Sequence, residues 1–176
     1  MLKTIVIFGV LAGLAIVATI ALSLVAGFSS EHVAALEWLG YLIMIVALSL
    51  IFLGVKRIRD NDLGGVISFW TAVKAGLGIA VVASFIYVIG WEANLALTDH
   101  QFIEDYPQSI IDQRRAEGLS EEEMLEVYTE MEEMKANYNR LLPRMFMTFL
   151  EIFPVGLLIA FISAFFLRKS EVLPAH

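Results

Sequence analysis

Glu151 stands inside an otherwise apolar run at residues 145–167, where an ionisable side chain has either a chemical task or an anchoring one. It lies about six residues in, roughly 9 Å along a helix rising 1.5 Å per residue. That depth is the outer part of a bilayer's hydrocarbon. An ionised acid costs about 2.5–3.5 kcal/mol at the bilayer centre, and less towards the edge. Two readings follow. Glu151 is a proton- or cation-binding carboxyl, or it is an interfacial acid that pairs with Arg144 or a neighbouring helix and only orients its span. Ser84 and Tyr87 sit at a comparable depth of another apolar run and could bond it. Pro154 frees a backbone carbonyl nearby, which either adds a ligand oxygen or marks a kink.

The second group is basic. Lys56, Arg57 and Arg59 lie between two apolar runs, and Lys74 lies in the first third of the run that follows. Lys74 can snorkel to the headgroups. Together the four form either a patch for anionic lipid headgroups or phosphate, or ordinary positive-inside anchors. Asp60 can pair with one of them and fix the turn.

Other chemistry is excluded or unsupported. There is no cysteine, so disulfides and thiolate catalysis are out. His32, His100 and His176 share no ligand spacing, so no metal site is expected. A net charge of −7 does not suit nucleic acid. No Gly-rich nucleotide loop, His-Glu-x-x-His or Gly-x-Ser-x-Gly motif is present. Neither a cofactor nor enzymatic activity is expected.

The elements that position these residues are legible from composition. Of 176 residues, 59% are hydrophobic, against about 45–50% in soluble domains. The excess falls in four blocks, at residues 5–26, 38–55, 66–91 and 145–167. Crossing a bilayer takes about 20 apolar residues in a helix, and continuous runs do not suit barrel strands. The first block follows Lys3 but is longer than the roughly 7–15 apolar residues of a signal peptide, so a retained helix is expected. Gly9 and Gly13 give it a Gly-x-x-x-Gly spacing that either brings helices close or is chance in a Gly/Ala-rich run. A short loop at 28–36 follows. Trp38 and Tyr41 open the second block as interfacial aromatics. Residues 56–65 read as a polar loop, and Ser68 caps the third block.

Residues 92–144 are different: they hold most of the acidic side chains. Phe102, Ile103, Tyr106, Ile110 and Ile111 share one helical face, which Pro107 starts or interrupts. Ser120 with Glu123 is a capping box. Met124, Val127, Tyr128, Met131, Met134, Tyr138 and Leu141 then recur at spacings of three and four. The reading is a helical hairpin, its second helix at about 120–141, packed on itself or on a partner. The acidic face reads as solvated surface. Pro143 either kinks a continuous helix or begins a new one, and the tail at 170–176 is too short for a domain. The Lys and Arg residues between the second and third blocks place that loop, and hence both termini, in the cytoplasm. The 92–144 insertion then faces outward.

Two stretches carry a resemblance. One is Phe52 to Asp60, then Gly64-Gly65-Val66-Ile67-Ser68-Phe69 and Ala72-Val73-Lys74-Ala75-Gly76. The other is Met147 to Leu158, running into Leu167-Arg168-Lys169. The chain resembles the bacterial membrane-protein family known as domain of unknown function 4199. The resemblance implies a small four-span protein and supplies no activity. The expected fold is an all-α, single-domain, integral membrane four-helix bundle with an extracytoplasmic helical hairpin between spans three and four. The expected role is a structural or accessory/assembly protein of the bacterial inner membrane. Its partners would be the lipid bilayer, its anionic headgroups, and a second copy or another membrane protein. The alternative is a small oligomeric transporter or ion/proton pathway using Glu151.

Overall fold

The computed structural model describes residues 1–25 and 37–169. The described residues are all-α. In chain order they form α1 (Leu2–Val25), α2 (Glu37–Leu48), α3 (Leu50–Arg57), α4 (Phe69–Leu97), α5 (Gln101–Ala116), α6 (Glu121–Tyr138) and α7 (Leu141–Leu167). Among the described residues four stretches are long and apolar enough to cross a membrane: Leu2–Ser23, Trp38–Asp62, Phe69–Leu97 and Leu141–Leu167. The expected loop at 28–36, the tail, His32 and His176 lie outside the described residues.

The second apolar block departs from the sequence reading twice. Its helix tightens locally at Ser49, whose N–H still bonds the Ile45 carbonyl at 3.0 Å while its hydroxyl donates to the Val46 carbonyl at 2.6 Å. That local bond competes with regular helix. Past residue 55 the chain does not become a loop. Lys56 and Arg57 complete α3, and a π-helical turn, Ile58–Asp62, follows. The cause is Ile58, which is fully buried and carries the helix into the apolar core. The true turn is short, with Gly64 and Gly65 at φ of 65° and 90°. Ser68 then caps α4, its hydroxyl accepting from the Thr71 N–H.

α4 is the central helix. Along one side it meets α1 in a ladder that repeats every four residues. Ile5 packs on Gly78, Gly9 on Val82, Gly13 on Ile86 and Val17 on Gly90. Each rung sets a bulky side chain against a glycine, so the two backbones approach closely. A Cβ built on Gly9 would lie 2.5 Å from the Val82 Cβ and 2.9 Å from the Ile79 carbonyl oxygen. Along another side α4 runs antiparallel to α7, where Gly76 meets Ala160 and Ala80 meets Gly156. α3 joins through Gly54, which sits against Ile79 and Phe8.

One end of the molecule collects three chain segments. The Met1 ammonium pairs with Asp62 at 2.6 Å. An isolated antiparallel bridge joins Ile67 to Lys169, with both N–H···O bonds at 3.0 Å. Arg59 reaches the Leu167 carbonyl at 3.5 Å.

α5 and α6 pack on each other, and a second small core of Leu95, Ile103 and Tyr138 joins them to the end of α4. Pro107 neither starts nor interrupts α5; it is buried within the helix. The Ser120–Glu123 capping box is formed in both directions. Met124, Met131 and Tyr138 are buried, whereas Tyr128 and Leu141 are exposed. α6 ends at Tyr138, three residues short of the expected stop. The chain turns at residues 139–140, and Pro143 lies in the first turn of a new helix, α7, where a missing N–H costs nothing.

Candidate functional site

Two polar layers gather where α4 ends and α7 begins. The outer one is built on Arg144. Its Nε and Nη2 donate to the two carboxylate oxygens of Glu92 at 2.8 and 2.7 Å, and Nη1 donates to the Tyr138 carbonyl at 2.6 Å. A guanidinium matches a carboxylate in this forked geometry better than any other cation. Arg144 is buried, with only 7% of its surface exposed. One side chain therefore ties the end of α4, the end of α6 and the start of α7 together.

The second layer lies deeper. The Tyr87 hydroxyl donates to both carboxylate oxygens of Glu151 at 3.3 Å. Tyr87 is buried, while Glu151 lies on the exposed face of α7 and reaches back towards α4. The Thr148 hydroxyl donates to the Arg144 carbonyl at 3.0 Å. Tyr138 lies close to both groups. Burial raises its phenol pKa and the Glu151 charge adds to that, while a hydrogen bond with Thr148 pulls the other way.

Helix geometry sets the depths. Measured from Phe69 at 1.5 Å per residue, Tyr87 is about 27 Å along α4 and Glu92 about 35 Å. Measured back from Leu167, Glu151 is about 24 Å along α7 and Arg144 about 35 Å. If Phe69 and Leu167 stood at one edge of a hydrocarbon core of about 30 Å, the Tyr87–Glu151 layer would fall just inside the other edge and the Glu92–Arg144 pair just beyond it.

The four outer residues expected from sequence are thus sorted. Tyr87 meets Glu151. Arg144 engages Glu92 instead, because both reach the same level past the apolar core. Ser84 donates to the Ala80 carbonyl of its own helix at 2.9 Å, so it satisfies itself. Glu92 was missed because the apolar run stops at Trp91, although α4 continues to Leu97. A cue was present: an arginine and a glutamate flank the two runs at matching ends.

At the opposite end Lys56, Arg57 and Lys74 are exposed, and Arg59 is half-buried. Arg59 Nε pairs with Asp60 at 2.6 Å, the pairing expected to fix this turn. Gly9 and Gly13 line the α1–α4 ladder. Among the described residues no three His, Asp or Glu side chains converge on a metal position.

The model of a family described as protein of unknown function (DUF4199) matches residues 7–169. No curated protein and no solved structure matches the chain.

Proposed function

The chain belongs to the DUF4199 family, and from that starting point we propose that it is a four-helix integral membrane bundle serving as a structural or accessory protein. In this reading it sits in the bacterial inner membrane with both termini cytoplasmic. α5 and α6 form an extracytoplasmic hairpin between the third and fourth spans. The observation that supports the role is the way the seams are filled. Glycine and alanine rungs close α4 onto α1 and α7 with side chain against backbone. The buried hydroxyls of Ser84 and Thr148 bond carbonyls of their own helices. Such packing suits a rigid scaffold that holds the hairpin on the Arg144–Glu92 clamp.

A pathway reading has one observation in its favour, the Tyr87–Glu151 bond just inside the outer edge of the hydrocarbon. Both readings are tested together. Single cysteines at Asn61 and Glu117 on intact cells should label only at 117 with an impermeant thiol reagent; labelling only at 61 inverts the topology. Proteoliposomes of the purified chain should hold a pH gradient as well as empty vesicles. A leak that Glu151→Gln abolishes, with helix content intact, would replace the scaffold reading by the pathway one.

A further inference from the structure

We propose that the end of the molecule carrying the 58–67 turn binds the phosphate of anionic phospholipids, at a site centred on Lys74 and Arg168. The proposal rests on the membrane reading above. The first argument is charge. Both aspartates of this end are occupied: Asp60 by Arg59, and Asp62 by the Met1 ammonium. Among the described residues no ion pair engages Lys56, Arg57, Lys74, Arg168 or Lys169. The turn and the end of α7 are held together by the Ile67–Lys169 bridge and the Arg59–Leu167 bond. The surplus cations therefore belong to one rim rather than to separate loops.

The second argument is shape. Trp70 and Lys74 are four residues apart on α4, so they share a face, and both are exposed. Phe161 and Phe165 stand in the same relation on α7, and both are exposed. The Phe69 ring joins the two pairs, with centroids 5.2 Å from Trp70 and 6.3 Å from Phe161. The Arg168 guanidinium lies over Phe165 at 4.9 Å, which fixes a charge at the edge of this aromatic surface. The result is an apolar floor with cations at its border, the pattern of a lipid whose tails lie on rings and whose headgroup meets base. Lys74 selects the lipid over a free anion. It starts about 8 Å above Phe69 along α4, on the lipid-facing side, and its ammonium approaches a headgroup from the acyl layer, where dissolved phosphate does not enter.

The test uses the full chain in mild detergent with equal amounts of phosphatidylglycerol and phosphatidylcholine of matched acyl chains, and counts bound lipid by native mass spectrometry. A basic group near an anionic surface is worth roughly five-fold in binding. Wild type should therefore carry the anionic lipid at least about five-fold in excess, and Lys74→Gln with Arg168→Gln should bring the ratio near one. Both side chains are exposed, so helix content should not change. Equal loading of the two lipids on wild type overturns the proposal. Displacement of phosphatidylglycerol by millimolar inorganic phosphate overturns the lipid assignment in favour of a soluble anion. A chain that binds neither lipid and stays in solution without detergent overturns the membrane reading as well, which separates the two failures.

Discussion

Gly13→Ala adds one methyl group to the α1–α4 ladder, and the structure fixes what that methyl meets. The new Cβ would lie 2.6 Å from the Ile86 Cβ and 2.9 Å from the Ala83 carbonyl oxygen. Carbon atoms in good contact are about 3.5–4.0 Å apart, so the helices must part by about 1 Å. Neither neighbour can swing aside: one is the root of a β-branched side chain and the other is backbone. Overpacking of this kind costs about 1–3 kcal/mol. Alanine returns up to about 1 kcal/mol as a better helix former, which leaves a net loss of up to about 2 kcal/mol. Gly40→Ala is the matched control, because its Cβ would meet nothing within 4 Å. That variant should be neutral or stabilised by up to about 1 kcal/mol. Unfolding of the purified chain in mixed micelles, titrated with a denaturing detergent and followed by tryptophan fluorescence, measures both. The double variant at Gly9 and Gly13 should lose less than the sum, since one separation relieves both rungs. If Gly13→Ala proves as stable as Gly40→Ala, close approach is not what holds α1 to α4.

Arg144→Met should destabilise the protein by about 2–3 kcal/mol, less than the 3–5 of a fully buried pair because Glu92 keeps some solvent. Amides at the α5–α6 base should then exchange faster; unchanged exchange would mean the clamp holds nothing. Ser120→Ala should cost about 1 kcal/mol and fray the start of α6. The Ser120 bonds hold the Glu123 carboxyl below its ordinary pKa, so its contribution is complete above the unfolded value and is lost as pH falls through the lower folded one. Protection of the first α6 amides should therefore start to fall as pH drops below about 4, and protection unchanged down to about pH 2, where any carboxyl of this kind is protonated, would rule the capping account out. Met131→Asp buries a charge on the face towards α5, and exchange across α6 should rise several-fold; rates equal to wild type would put that face in water.

Much of the fold is legible in the sequence because each cue is local. Four apolar runs exceed what a soluble domain needs, and the Ser120–Glu123 box announces the start of α6 within four residues. Ser68 does the same for α4. The misses share a cause, which is that local composition says nothing about what a helix meets. Polar residues at 56–62 read as a loop, yet the buried Ile58 keeps them helical. Tyr128 fits the periodic stripe of α6 and still faces outward, where Arg115 bonds its hydroxyl at 2.8 Å. Glu151 was visible as an anomaly, and Tyr87 and Ser84 as hydroxyls at its depth; that Tyr87 meets it while Ser84 bonds its own helix depends on how α4 and α7 cross. The Glu92–Arg144 clamp joins positions 52 residues apart, which no spacing rule reaches.

The α1–α4 ladder also bears on how the chain is made. Gly78 follows Ile5 by roughly 70 residues, so at 5–20 residues per second α1 waits about 4–14 s for its partner. During that interval its glycine face lies open to lipid and to any passing helix. Its order of large and small residues works as a key with one setting. A slip of one turn would set Ile5 against Val82 and Gly13 against Gly90, a collision at one rung and a hollow at another. An early wrong pairing is therefore poorly packed and short-lived, and the correct alignment is chosen when α4 arrives rather than by the order of synthesis.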